Sequence, residues 1–194
     1  AVGGIVGTAT IFTKANATTV YTLVSNSVNH AAIAFGSTTT CTKLYIGGVL
    51  GSSADKNVGV QLLANENRGE VSISSTIEDA HIGGVAGYVT NVVSEIHNYG
   101  NLNFSGTVKS DEPTRISGTI GRGSNDATHT YTNISNSGDL TVSVSSADHL
   151  YVAGICAYNV KSTYNNVVNK GNITITKEAK STDANLHVGG VFTT

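Results

Sequence analysis

The residues with the most chemical capacity in this chain are its acids and a recurring aromatic or cationic position. Four acids, Asp79, Asp111, Asp148 and Asp183, each fall a few residues before a glycine-rich block. If the blocks stack, these acids share one edge. Clustered carboxylates cleave glycosidic bonds when ~5–9 Å apart, or bind Ca²⁺ through their oxygens. The remaining acids are scattered, and no D-x-D-x-D-G ligand loop accompanies any of them. Solvated turn acids are the expected state. The residue just before each block is Tyr45, His81, Arg115, Tyr151 or His187. Stacked, these predict an outward row able to lie against sugar rings or fill a partner's groove, because each combines an apolar face with a polar tip. An ordinary ladder at a sheet margin is the plainer alternative. His81 and His187 would sit three coils apart, too far to share a metal ion. The stretch Gly118–Ser124 lacks the Lys-Ser/Thr ending of a phosphate loop, and no G-x-S-x-G elbow occurs. The expectation is a protein with no catalytic, metal or cofactor site.

The elements that position these residues repeat. The glycine-rich block occurs at Val2–Gly7, Ile46–Gly51, Ile82–Gly87, Ile116–Gly121, Val152–Ala157 and Val188–Thr193, with starts 44, 36, 34, 36 and 36 residues apart. A steady period of this length marks a solenoid or an array. The third position is always glycine: Gly4, Gly48, Gly84, Gly118, Gly154 and Gly190. A second block, N-x-G followed by alternating apolar residues, pairs Asn67 with Gly69, Asn98 with Gly100, Asn136 with Gly138, and Asn169 with Gly171. Alternation predicts a strand with one buried face. The glycine is expected in a left-handed turn, with the asparagine bonding local backbone. A third apolar segment lies between the blocks, as at Val92–Ile96.

These features predict an all-β, single-stranded parallel β-helix of about five coils of ~35 residues, three short strands per coil, rising roughly 24 Å. Residues 1–194 form one array, with an irregular or inserted first coil over about 8–45. Like residues recur because equivalent positions stack directly, coil on coil. In the first block, positions one, three and five are expected to point inward, an inward glycine making room for a neighbour or marking a bulge. The fourth position (Ile5, Val49, Val85, Thr119, Ile155, Val191) is then an outward β-branched stripe: loop-covered, a contact surface, or turned inward by a bulge.

Composition narrows the class. Only 12% of residues are charged, with net charge −2 and 39% hydrophobic. That is about half the usual ~25% charged, in a chain apolar enough to fold rather than stay disordered. A pI near 6.3 gives no reason to expect nucleic acid. No apolar run approaches the ~18 residues of a membrane span, so no membrane insertion is expected. The chain contains no Met, which suggests processing or excision from a longer protein. Cys41 and Cys156 lie in different repeats without metal-site spacing, and are expected as small buried or half-buried residues. Sequons stand at Asn16, Asn103, Asn133 and Asn172, and matter only in a glycosylating secretory context.

The segment G-G-V-A-G, a spacer, then I-H-N-Y-G-N-L-N-F-S-G over Gly83–Gly106 resembles the GLUG motif. The resemblance extends over essentially the whole chain, less well at residues 8–45. It implies bacterial or protist surface and secreted proteins with adhesion-type roles, and no catalytic residues. With no terminal cap evident, the expected partners are flanking repeats or other copies of the chain at both ends, with host or environmental glycans as a further candidate. The expectation is thus an extracellular, non-catalytic structural or adhesive solenoid: a stalk segment, or a fibre subunit stacked end to end. A glycan-binding module is the alternative, and a polysaccharide-active enzyme a third reading.

Overall fold

A computed structural model describes residues 1–9, 22–53, 60–90, 92–109, 113–123, 129–146, 149–159, 161–178 and 185–193. The described residues are all-β, and every strand pairing is parallel. The chain winds as a parallel β-helix whose faces are a ten-stranded, a four-stranded and a six-stranded sheet. No helix of the described residues is long and apolar enough to cross a membrane.

Each glycine-rich block forms a corner. In the third copy, strand Val71–Gly83 ends at Gly83, the chain bends through Gly84 and Val85, and strand Ala86–Tyr88 begins the next face. Successive corners hold one another: the Gly84 amide donates to the Ser117 carbonyl, and Val85 and Ala86 amides both donate to Thr119. Of the three alternatives for the fourth-position stripe, this bend selects the inward turn. In the inner copies position four faces inward, so Val49, Val85, Thr119 and Ile155 are buried, whereas Ile5 in the first copy is exposed. A backbone turn between two inward residues breaks the in-out alternation that a straight strand imposes.

After the short second face, the chain crosses to strands such as Val93–Asn98, then turns into strands such as Leu102–Val108. Side chains stack like on like: Leu102 pairs with Val71 and Leu140, and Ile96 with Ile134. The interior is two apolar clusters. One holds Ile46, Ile82, Ile116 and Val152 against Phe104, Leu140 and Val142. The other holds Leu50, Ala86 and Ile120 against Leu62, Val93 and Ile134.

Between the clusters runs a polar seam. Asn29, Asn67, Asn98, Asn136 and Asn169 stack in register. Each of the first four donates from its side-chain amide to the next asparagine's Oδ1, at 2.8, 2.9, 2.8 and 2.8 Å. All five also donate to the carbonyl two residues on, as Asn98 does to Gly100. Local backbone bonding is therefore as expected, and the asparagine side chains point to the interior. The ladder satisfies both ends of the buried amides, which would otherwise be costly to desolvate.

The N-x-G glycines differ from expectation. None takes a left-handed conformation. Among the described residues that conformation falls instead on Asn26, Ala64, Glu95, Asn133 and Asn166, with φ between 50° and 55°. These stack as a bulge row within the third face, between Ser94 and Ile96 in one coil and Thr132 and Ile134 in the next. The glycines are required by close approach: a Cβ at Gly100 would lie 1.9 Å from the Gly69 carbonyl oxygen of the preceding coil.

The first coil is more regular than its sequence suggests. Val24 pairs with Leu62, Asn29 with Asn67, and Phe35 with Ile73. Ala31 stands where later coils have glycine. Part of the surplus length falls within residues 10–21, outside the described set.

Candidate functional site

Tyr45, His81, Arg115, Tyr151 and His187 do form one continuous row, each in register with the next. The row is not uniformly outward. His81 is 1% exposed and Arg115 5%, Tyr45 and Tyr151 are half-buried, and His187 is exposed. A second row from the adjacent face covers the centre: Tyr88, Arg122 and Tyr158. Tyr88 and Arg122 are in register, and the Gly123 amide donates to the Tyr158 carbonyl one coil on. Each follows its glycine-rich block directly, with Ser52 and Thr8 in the earlier copies. That shared offset is the signal from which the second row was legible.

The two rows interlock. Tyr45 and Tyr88 stack at 6.3 Å between centroids, and His81 lies 5.0 Å from Tyr45 and 5.6 Å from Tyr88. The Arg115 guanidinium sits 4.7 Å over the Tyr158 ring, and Arg122 lies 5.3 Å from Tyr88 and 5.8 Å from Tyr158. Arg115 donates to His81 Nε2 at 2.8 Å and to the Pro113 carbonyl at 2.8 Å. Asp79 approaches His81 Nε2 at 3.5 Å and Arg115 at 3.9 Å. Tyr151 stacks flat on His187 at 4.5 Å and edge-on to Tyr158 at 5.9 Å.

The electrostatics follow from burial. Desolvation, reinforced by the Arg115, Arg122 and Lys43 charges, holds His81 well below the usual imidazole range. Neutral His81 accepts from Arg115 at Nε2, so its proton belongs on Nδ1. Burial raises the Tyr45 phenol, with the Asp79 charge adding to it. Within the cluster Arg115, Asp79 and His81 Nε2 engage one another, while His81 Nδ1 is buried without a hydrogen-bond partner.

Concavity remains at one end. A recess of about 300 Å³ is lined by Thr8, Tyr45, Ser52, Ser53 and Tyr88. A wider groove of about 490 Å³ crosses the ten-stranded sheet, lined by Ser72, Asn103, Ser105, Thr141 and Ser143, with Phe35 and Phe104 beside them. It contains no charged group.

Three comparisons, against family models, curated proteins and solved structures, each found no match to this chain.

The remaining candidates are placed as follows. Of the proposed acid edge, only Asp79 is described, while Asp111, Asp148 and Asp183 lie outside the described residues. Glu66 is held by Arg68 at 2.7 Å. Among the described residues no three His, Cys, Asp or Glu converge as metal ligands. Gly118 and Thr119 form a corner and Ile120–Arg122 is a strand. Cys41 and Cys156 are free thiols, half-buried and buried, and burial raises the Cys156 thiol. Asn103, Asn133 and Asn172 lie on outer faces, whereas Asn16 falls outside the described residues. The amide of Asn166 donates to Asn133 Oδ1 at 2.8 Å.

The repeat glycines and turn asparagines, read separately in the sequence, meet in space. A Cβ at Gly48, Gly84, Gly118 or Gly154 would lie 2.2–2.5 Å from Cγ of Asn67, Asn98, Asn136 or Asn169 respectively. Gly4 stands in the same way against Asn29, at 2.7 Å.

Proposed function

We propose that this chain is a non-catalytic, extracellular β-solenoid with a structural or adhesive role, serving as a stalk or surface-fibre segment. The observation that carries this reading is how its reactive side chains are used. His81, Arg115 and Asp79 are engaged with one another beneath Tyr88 and Tyr158, at the distances given above, leaving a rigid stack with a Ser/Thr/Asn-rich exterior. The resemblance to GLUG repeats supports a surface location. Immunogold electron microscopy of the native source is the test. Label along rods or fibres outside the cell is expected. Label confined to the cytosol would overturn the proposal.

A second reading is favoured by the recess beside Tyr45 and Tyr88, which offers aromatic faces bordered by the Thr8, Ser52 and Ser53 hydroxyls. Such a surface suits a saccharide, whose C–H face packs on rings while its hydroxyls bond to side chains. Glycan-array binding that is lost in Tyr45→Ala and Tyr88→Ala would support it. Unchanged binding in both variants would remove it.

A further inference from the structure

We propose that the groove on the outer face of the ten-stranded sheet binds a neutral, extended polysaccharide lying along the coil axis. This rests on reading the solenoid as adhesive, and it places the ligand away from the Tyr45 and Tyr88 recess.

The groove follows from register. Strands Val71–Gly83, Leu102–Val108 and Leu140–Ser146 pair in order, and each has a strand on both sides. Their outward side chains stack in two rows. One row is Ser72, Asn103 and Thr141; the other, two residues further along each strand, is Ser74, Ser105 and Ser143. Alternation sends Ile73, Phe104 and Val142, which lie between the rows, into the core. The rows stand ~6.6 Å apart and repeat every ~4.8 Å along the stack. Ala34 and Gly36 continue them on strand Ile33–Gly36 with still smaller residues. The volume of about 490 Å³ falls within the ~300–1,000 Å³ of ligand sites. A groove whose floor repeats coil by coil suits a ligand that is itself a repeating chain.

The hydroxyls in it are uncommitted. Other polar rows on the outer surface bond along the stack. The Asn172 amide donates to Asp139 at 3.1 Å, the Asn166 amide donates to Asn133 at 2.8 Å, and the Thr107 and Ser145 hydroxyls meet at 2.6 Å. The hydroxyls of Ser74, Ser105, Thr141 and Ser143 have no hydrogen-bond partner among the described residues. Each can donate once and accept twice, which is the pairing that sugar hydroxyls require. Exposed Ala34 and half-buried Phe35, at one end of the groove, give apolar contact for sugar C–H faces.

Charge selects a neutral chain. The groove has no charged lining residue. Exposed Glu70 and Asp139 stand two residues before Ser72 and Thr141, along one margin, and the Ser72 hydroxyl donates to Glu70. A polyanion would meet those carboxylates with no cation in the groove to offset them. A neutral glycan meets neither penalty.

The test titrates the full chain with cellohexaose, mannohexaose and chitohexaose by calorimetry, with a galacturonic acid hexamer as the charged counterpart. Saturable binding of at least one neutral hexasaccharide is expected, and none of the charged one. Amide chemical-shift changes should centre on residues 72–74, 103–105 and 141–143. Ser105→Trp stands a large ring in the groove and should weaken binding about tenfold or more. Position 105 is exposed, so the thermal midpoint should stay close to wild type. Ser143→Asp, a smaller change, should weaken binding as well, whereas Tyr45→Ala should leave it unchanged. Absence of neutral binding, preference for the galacturonate, or undiminished binding by both groove variants would overturn the proposal. Loss of binding in Tyr45→Ala alone would also overturn it, by moving the ligand to the recess. So would a dimer in sedimentation that Ser105→Trp dissolves, which would make a second copy the occupant. All of these use purified protein, so a failure here leaves the surface location to be judged by immunogold labelling.

Discussion

Gly84 and Asn98 close the waist of one coil: a methyl on Gly84 would stand 2.5 Å from Asn98 Cγ and 2.1 Å from the Gly118 carbonyl oxygen. Because one obstacle is backbone, the site cannot relax by moving a side chain. Gly84→Ala is expected to destabilise by ~3 kcal/mol or more, at the upper end of overpacking costs. Gly190→Ala occupies the same row without a neighbour, and should stay within about 0.5 kcal/mol of wild type, as surface changes do. Urea denaturation of the two variants checks this, and equal losses would refute the waist.

Asn98 links Asn67 to Asn136 through side-chain bonds and also caps the Gly100 carbonyl. Asn98→Leu keeps the branched outline but removes the bonds to the Asn67 amide, the Asn136 Oδ1 and the Gly100 oxygen. With ~1–3 kcal/mol for each buried group left unpaired, a loss of roughly 3 kcal/mol or more is expected. Amide exchange should accelerate at residues in both neighbouring coils, not only in its own.

His81 couples stability to pH. Its folded value lies well below the unfolded value of 6.5, so below that pH the unfolded chain binds more protons. Stability is then fully present above about pH 6.5 and falls as pH drops through and below it. Protonation would set a second cation against Arg115, with Arg122 and Lys43 also near and Asp79 the offsetting charge. Burial lowers His129 as well, adding to the slope. Thermal midpoints from pH 7.5 to 5 should fall, and His81→Gln should flatten the decline.

Glu95 is exposed and left-handed at φ 55°. That conformation costs an ordinary L-residue roughly 1–2 kcal/mol. Asn133 and Asn166 in the same row show a better-suited residue. Glu95→Gly should therefore leave the fold intact, with the relieved strain offset in part by glycine's unfolded-state entropy. The expected net gain is about 0.5 kcal/mol in chemical denaturation.

The two thiols should separate by reactivity. Half-buried Cys41 is expected to react with a maleimide in the folded state. Buried Cys156, whose thiol is raised by desolvation, should react only on unfolding. Mass spectrometry of peptides from native and denatured labelling distinguishes them.

What the sequence determined by itself was the repeat, the all-β class and the stacked rows. A steady period and alternating apolar residues are local statements, and parallel stacking makes equivalent residues neighbours without any further information. The alignment of Tyr45, His81, Arg115, Tyr151 and His187 was legible for that reason. Only the tertiary structure decided which of them meet solvent. That depends on Tyr88, Arg122 and Tyr158 folding back from the next face, and so on the bend angle at Gly84–Val85. The same bend turned Val85 and Ile155 inward and brought Gly84 against Asn98, fusing two motifs that appear unrelated along the chain. A one-dimensional pattern records which residues recur, but not how the cross-section closes, because closure is set by contacts between faces and not by spacing within one.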